Sequence, residues 1–559
     1  MNTNPALKRW LAAAVTIGIL GAAMVFVARP GAETPPPPAQ PAKTTSQDWI
    51  MYGGSPARNM VNLTAKGLPA KWDIEAKENI KWSSDLGSKA YGGPVIAGGL
   101  VLIGTNNQNP RDPKWTKPKL DAKGKPEVVN GKTQTDPVDL GVVMCFDESN
   151  GKFKWQAVHE KLPGGQVIDW PREGICSSPY LEGDLFYYIS NRCEVVCAKV
   201  ATGAPVWKLD MIKELGVFPH NISDNSPLLV GDYLWVVTSN GVNEDHLNVP
   251  APKAPSFIKV DKKNGKVLWQ DNSPSVALLN PKNIANANFF KDLVNRGELI
   301  QHGQWANAAY GVVEGQPQVL FPGGDGWLYA FDPMGKLIWK FDCNPKDAKY
   351  ALKTGERSDF IATPVIYKNR AYIGIGQDPE HKQGIGHLWC IDMTKKGDVS
   401  PLLVTDNTVF PPKTKENPNS AKVWHYGGVI TDKNVQKKLR RNYYFGRTMS
   451  TCAIHEDILY CSDLDGVLHC LDAKSGKPNW EYNTRSEIWS SPYYADGKIY
   501  LGTDDKTVFV FKHGADPKNA KPIAENEMDG RVRATPVSAN GVLYVMTENK
   551  LYAIEEKKK

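Results

Sequence analysis

Net charge is scarce in this chain. Across 559 residues, 67 Lys and Arg stand against 60 Asp and Glu, which leaves +7, and part of the excess is the Lys557-Lys558-Lys559 tail. So small an imbalance does not mark a nucleic-acid or anionic-lipid surface, and a solvated exterior accounts for it. Cysteine is also scarce. Nine is an odd count, so at least one thiol has no partner within the chain. Cys193-Glu194-Val195-Val196-Cys197 has the wrong spacing for a redox motif, and no His follows for haem attachment. No Cys lies near the end of the N-terminal apolar run, which argues against a lipoprotein anchor. Calcium loops are incomplete too. Asp325-Gly326, Asp463-Leu464-Asp465-Gly466 and Thr503-Asp504-Asp505 lack the length and the closing carboxylate of such a loop, and they fall where hairpin turns belong. His381 and His387 lie six apart with no third ligand of matching spacing, so no metal site is assigned.

What is present begins with a targeting segment. Lys8 and Arg9 precede Trp10 to Ala28, an uncharged run of 19 residues. Positive residues before an apolar run place residues 1–9 in the cytoplasm and the body outside. The run is long for a signal core and about right for one transmembrane helix. Arg29-Pro30 makes a poor cleavage site, while Ala28 and Ala32 keep cleavage open. The expectation is a single-pass membrane protein with a periplasmic body, or a secreted one if the segment is cleaved. Residues 29–48, with Pro35 to Pro38, read as a polyproline spacer. The folded part then runs over residues 49–559, and Trp49-Ile50-Met51-Tyr52-Gly53-Gly54 reads as an outer lead-in.

The body repeats one phrase. Gly324-Asp325-Gly326-Trp327-Leu328-Tyr329-Ala330-Phe331-Asp332 is followed by Gly335-Lys336-Leu337-Ile338-Trp339. The same order returns at Asp465 to Asp472 and Ser475-Gly476-Lys477-Pro478-Asn479-Trp480. A repeat of about 40 residues made of short strands cannot bury its own faces and needs stacked copies. First strands open near small-small-Pro phrases at Gly92, Ser177, Asn225, Ala362, Ser490 and Ala534. Ala308-Ala309-Tyr310 and Ser450-Thr451-Cys452 take the same place without Pro, making eight. Fourth strands end in Trp82, Trp155, Trp207, Trp269, Trp339, Trp424 and Trp480, and the repeat from Ser490 has none. The last repeat stops at Leu551-Tyr552-Ala553-Ile554, while a fourth-strand phrase, Asn79-Ile80-Lys81-Trp82, stands at the front. The spacing therefore predicts an all-β fold, an eight-bladed propeller of four-stranded blades closed by an N-terminal strand, because closure removes exposed edges. Residues 106–140 and 397–422 are insertions, and Asn283 to Arg296 reads as a short helix.

Cys145, Cys197, Cys390 and Cys470 occupy the small inward place of Ala330 and Ala553, and Cys452 could meet Cys461 across a hairpin. The leading residues of first strands should point to one mouth of the channel. They are His220, Asn221, Asp224, Asn225, His302, Gln304, Trp305, Arg357, Asp359, Arg447, Arg485, Glu487, Trp489, Arg531 and Arg533. Such a set is either a self-paired hydrated lining or a site for a planar anion, since Arg grips carboxylates and Trp stacks on rings.

The phrase with its Asp, Gly-Lys and Trp resembles the repeat of PQQ-type propellers, the quinoprotein-like family, over roughly residues 80–556. The layout is similar to the membrane-anchored or secreted PQQ-like repeat proteins of planctomycete-type bacteria. The resemblance implies two functional branches. One is the dehydrogenases that hold pyrroloquinoline quinone and Ca²⁺ in the funnel. The other is non-enzymatic and includes the lipoprotein of the outer-membrane β-barrel assembly machinery. The dehydrogenase branch would need a Glu, Asn and Asp set for Ca²⁺. Glu173, Asp224, Asn225 and Asp359 are candidates, but none matches the branch's motifs residue by residue. Its adjacent cysteines are absent. Gly104 to Pro110 is only faintly similar to a dehydrogenase phrase. The leading expectation is a monomeric, membrane-tethered module that binds an envelope protein or a small anionic ligand. The alternative is a PQQ- and Ca²⁺-dependent dehydrogenase, and a carbohydrate-acting propeller is a third, weaker option.

Overall fold

The computed structural model describes residues 47–164, 166–220, 225–244, 249–275, 302–348, 356–377, 383–406, 409 and 411–557. The expected membrane run, most of the spacer, the helix at 283–296, Asn221, Asp224 and His381 lie outside the described residues. Among the described residues no helix is long and apolar enough to cross a membrane.

Eight sheets carry the architecture. Blade four is typical: Ala309–Val313, Gln316–Pro322, Trp327–Phe331 and Leu337–Asp342 form an antiparallel meander. The first strands of the eight blades are Val95–Ala97, Tyr180–Glu182, Leu228–Val230, Ala309–Val313, Val365–Tyr367, Ala453–His455, Tyr493–Ala495 and Val537–Ala539. All but Ala309–Val313 begin directly after the phrase expected to open them. Blade eight takes its outer strand, Ile80–Asp85, from the front of the chain, with Ser83 opposite Tyr552. Middle strands read as apolar runs rather than alternations; Leu140–Asp147 is buried at every position but its last. Both faces of a blade are covered by neighbouring blades, so both must be apolar.

The repeated Asp, Gly and Trp form a staple between successive blades. Each of the seven Trp-bearing fourth strands slips register at or beside its Trp. Blade seven ends in Ala524–Glu527, has no Trp there and keeps an unbroken register. The indole then reaches the next blade. Trp155 Nε1 donates to Val200 O at 3.0 Å, Trp207 Nε1 to Lys262 O at 2.9 Å and Trp424 Nε1 to Ala473 O at 2.9 Å. The ring lies on the Gly of that blade's turn: a Cβ on Gly203 would stand 2.6 Å from Trp155. That Gly has φ +70, and Asp472 shows the accompanying role of the Asp, accepting from Ser475 N within its turn. Opposite the Trp sits the small residue, Cys145 against Trp155 and Cys470 against Trp480. All nine cysteines are buried and outside any disulfide, Cys452 and Cys461 included, and burial pushes Cys197 up to about 11.

Trp339 departs from the expected equivalence. Strand Gly397–Asp398, from the second insertion, pairs parallel to the outer strand of blade four and covers it. Trp339 is fully buried, and its indole donates to Gln318 Oε1 at 2.8 Å. Gln318 Nε2 in turn donates to Met393 O in blade five at 2.9 Å, so an amide relays the staple. Trp339→Ala should cost about 5 kcal/mol and half-buried Trp155→Ala about 3 kcal/mol, read from urea midpoints. Equal costs for the two would remove the distinction.

A second belt joins first strands. Backbone N–H groups donate to the side-chain oxygen of the next blade: Ser178 to Ser226, Thr451 to Ser491, and Ser491 to Thr535, each at 2.9 Å. The residue before Pro is therefore a polar link as well as a small one. In blade four this place belongs to Asn307, which accepts from Ser226 N, so the sequence register Ala308-Ala309-Tyr310 is two residues late.

The largest correction concerns Trp49 to Gly54, expected as an outer lead-in, together with the residues that follow them to Asn62. They lie at the centre, along the inner edges of the first strands. Trp49 pairs with Ile96 in blade one, and Ile50 O accepts from Leu181 N in blade two. Pro56 O accepts from Tyr310 N and Ala57 O from Ile366 N, in blades four and five. Asn59 brackets Ile454 in blade six, Val61–Asn62 adds a parallel strand to blade seven, and Asn62 Nδ2 reaches Ser538 O in blade eight. Blade three is met by Arg58, whose Nη2 donates to Ser226 O and Pro227 O; its Nε reaches Ala308 O and its Nη1 Tyr52 O. The guanidinium is wholly buried, which lowers its pKa to about 10. The inner strand edges, which a hydrated channel would leave to water, are paired here with chain.

Candidate functional site

Position in the repeat builds one cluster at the mouth. The residue just before the small-small-Pro phrase is Trp489 in blade seven, Arg533 in blade eight and Tyr91 in blade one. Three successive blades thus bring them together. Arg533 lies over the Trp489 ring, 3.7 Å from its centroid, and Tyr91 stacks beside Trp489 at 5.8 Å. Arg533 Nε and Nη2 grip both oxygens of Asp504 at 2.8 and 2.7 Å. Burial opposes the charge on Arg533, but Asp504 and Tyr91 outweigh it and raise its pKa. Trp489 Nε1 donates to Glu487 Oε2 at 3.3 Å, and Glu487 itself is exposed.

A second cluster spans blades three to five. His302 Nδ1 lies 3.3 Å from Asp359 Oδ2, and both side chains are almost fully buried. The His220 and His302 rings meet at 4.5 Å, and Trp305 donates from Nε1 to His220 O at 2.9 Å. Asn225 Nδ2 donates to Val237 O, and Gln304 Nε2 to Asn240 O and Ser256 Oγ. The amide nitrogens of Asn225 and Gln304 are thus engaged inside the fold, while their buried oxygens, Asn225 Oδ1 and Gln304 Oε1, have no hydrogen-bond partner among the described residues.

Arg447 is buried, and bare Gly384 makes room for it: a Cβ there would stand 2.8 Å from its Cζ. Arg357 is half-buried, and its backbone oxygen accepts from Gln377 Nε2. Arg485 and Arg531 are exposed, and the Arg531 guanidinium has no carboxylate partner among the described residues. His387 meets His425, Nδ1 to Nε2 at 2.9 Å, rather than a metal-ligand set. Sequence reading missed Tyr91 and Asp504. Tyr91 was legible from its place in the repeat; Asp504 was hidden in a turn.

Asp325, also read as a turn residue, is half-buried beside this region. Burial raises its pKa to about 7 although Tyr329 Oη donates to it at 2.6 Å. Its folded pKa exceeds the unfolded value, so its contribution is full below about pH 4 and is lost as pH rises towards 7. Asp325→Asn should therefore flatten the fall in melting temperature between about pH 4 and 7. An unchanged slope would show that the carboxyl is already ionised in the fold.

A family model described as outer membrane protein assembly factor BamB matches residues 139–288 and 415–518. Together with the repeats, this match supports a PQQ-like β-propeller repeat protein. Among solved structures it is similar to BamB from Moraxella catarrhalis, at 15% identity over 79% of this chain and 97% of that one, with a TM-score of 0.44. It is similar also to quinohemoprotein alcohol dehydrogenase from Comamonas testosteroni, at 12% identity over 93% and 82%, with a TM-score of 0.48. The computationally designed protein Ika8 matches at 9% identity over 89% and 99%, with a TM-score of 0.44. No curated protein sequence matches the chain.

Proposed function

We propose that this chain is a non-catalytic binding scaffold, an extracytoplasmic propeller tethered through residues 10–28 that presents its faces and inserted hairpins to an envelope protein. The observation that carries this reading is the engagement of the mouth residues with one another. A planar tricarboxylate such as pyrroloquinoline quinone needs free guanidinium groups and an open aromatic face. Arg533 is spent on Asp504 and covers Trp489, while Trp305 and Arg447 are buried. The axis below is filled by residues 49–62. The described residues do not fit that cofactor. Asp359, from the candidate Ca²⁺ set, lies in an ion-pair contact with His302.

Calorimetric titration of the full chain with pyrroloquinoline quinone and Ca²⁺ tests the reading. No saturable heat is expected. One-to-one heat that disappears in Arg533→Ala would replace the scaffold with a quinoprotein. A small anion at the mouth is the second reading, favoured by exposed Arg531. It requires saturable anion uptake that Arg531→Ala abolishes at an unchanged melting temperature.

A further inference from the structure

Blades six and seven bring together three groups far apart in sequence. His455 and Glu456 stand at the hairpin that joins Ala453–His455 to Ile458–Ser462. His513 directly follows the third strand of blade seven, Thr507–Lys512. One ligand atom from each lies within 4.8 Å of the others. His455 Nε2 is 3.8 Å from Glu456 Oε1, and His513 Nε2 is 3.7 Å from Glu456 Oε2. Around a tetrahedral zinc ion with bonds of about 2.0–2.2 Å, neighbouring donors stand roughly 3.4 Å apart. The two His–Glu separations exceed this by a few tenths of an ångström, and the ligand atoms of His455 and His513 lie within 4.8 Å of each other.

The surroundings are those of a held site. His513 Nε2 is buried with no hydrogen-bond partner. Its other nitrogen lies 3.1 Å from Tyr460 Oη, and that oxygen also accepts from Gly514 N at 2.9 Å. A cation on Nε2 would fix the proton on Nδ1, which then donates to Tyr460, the outer contact that orients a metal-bound imidazole. The Tyr494 ring packs against both imidazoles, at 4.3 Å from His455 and 4.9 Å from His513. Glu456 and Asp457 both hold left-handed backbone, with φ +50 and +61. A two-residue hairpin turn of this kind ordinarily uses Asn or Gly. Asp457 pins it: Lys368 binds one carboxylate oxygen at 2.6 Å and Lys474 the other at 2.8 Å, and Tyr367 Oη donates at 3.2 Å. The turn is thus tied to blade five and to a neighbouring turn of its own blade, which aims Glu456 between two imidazoles. Glu456 is 71% exposed, so ions have a path in.

We propose that His455, Glu456 and His513 bind one Zn²⁺ ion, or a divalent ion of similar preference, on the propeller surface. Two imidazoles and a carboxylate leave the fourth position open to water or to a donor from a partner. Tyr460 is a positioning residue. The site is distinct from the mouth clusters and independent of the scaffold reading.

The test uses the full chain stripped by a chelator and titrated with Co²⁺ as a spectroscopic probe, followed by displacement with Zn²⁺. One equivalent with visible-region bands of low coordination number is expected. His455→Gln and Glu456→Gln should each weaken uptake by about 100-fold or more, and Tyr460→Phe by about 10-fold. His387→Gln should leave it unchanged. Far-ultraviolet circular dichroism checks that the variants are folded, and exposed Glu456→Gln keeps the test decisive if a His variant is not. Absence of saturable uptake in the parent protein overturns the proposal, as does parental affinity in Glu456→Gln.

Discussion

A chain lacking residues 49–82 is expected to aggregate and to lose its cooperative melting transition. Two kinds of edge would be exposed at once. Blade eight would keep Val537–Ala539, Val542–Met546 and Lys550–Ile554 but only Ser83, Ser84 and Asp85 of its outer strand, so Ala553 and Ile554 would lose their partners Trp82 and Ile80. The inner edges of the first strands would lose Trp49, Ile50, Pro56, Ala57, Asn59, Met60 and Asn62 as partners. Open strand edges recruit further strands, so self-association follows. Size-exclusion chromatography and scanning calorimetry would read the result. A truncated protein that stays monomeric with an unchanged melting temperature would show that Ile80 to Trp82 and the axial segment are dispensable.

Arg58→Ala carries the second large effect. Four carbonyls, on Tyr52, Ser226, Pro227 and Ala308, would lose their donor in a fully buried place. Each orphaned acceptor costs about 1–3 kcal/mol, and the loss of a large side chain adds a cavity. A fall of about 4 kcal/mol or more in unfolding free energy is expected, a large share of the roughly 5–15 kcal/mol of a typical domain. Arg58→Met restores volume without donors and should recover only the cavity part. Arg58→Lys offers a single ammonium where a planar fork is needed, so it should fall between parent and Ala. Urea midpoints order the three variants. Recovery of full stability in Arg58→Met would mean that the carbonyls find water instead.

The repeated elements were legible because each repeat repeats its chemistry. Asp, Gly and Trp stand at fixed offsets, and the staple from Trp155 to Val200 needs all of those offsets to hold. The missing Trp of blade seven was legible too. What replaces it was not: Trp72, from the stretch between Asn62 and Ile80, packs there, its backbone N–H donating to Asn526 Oδ1 at 3.0 Å. Lone partners of this kind leave no period to read. The same holds for Gln318 relaying Trp339, and for residues 49–62, whose partners lie up to 476 positions away. At the mouth, the candidates at one repeat position did gather, as Trp489 and Arg533 did with Tyr91. Charge pairing was less legible, because Asp504 looked like turn chemistry and is also the carboxylate that holds Arg533.

The axial segment also sets an order of events in biogenesis. Residues 49–62 are synthesised before every strand they bind, and Ser538, the last of those partners, follows Asn62 by 476 positions. Until Ser538 is made the segment has nothing complete to seat in, and each finished blade waits with an unclaimed inner edge. Contacts so distant in sequence are slow to form and leave a long interval of vulnerability to mispairing. The front of the body is therefore the last part to lock, and a nascent chain halted anywhere before blade eight is a chain with its keystone loose.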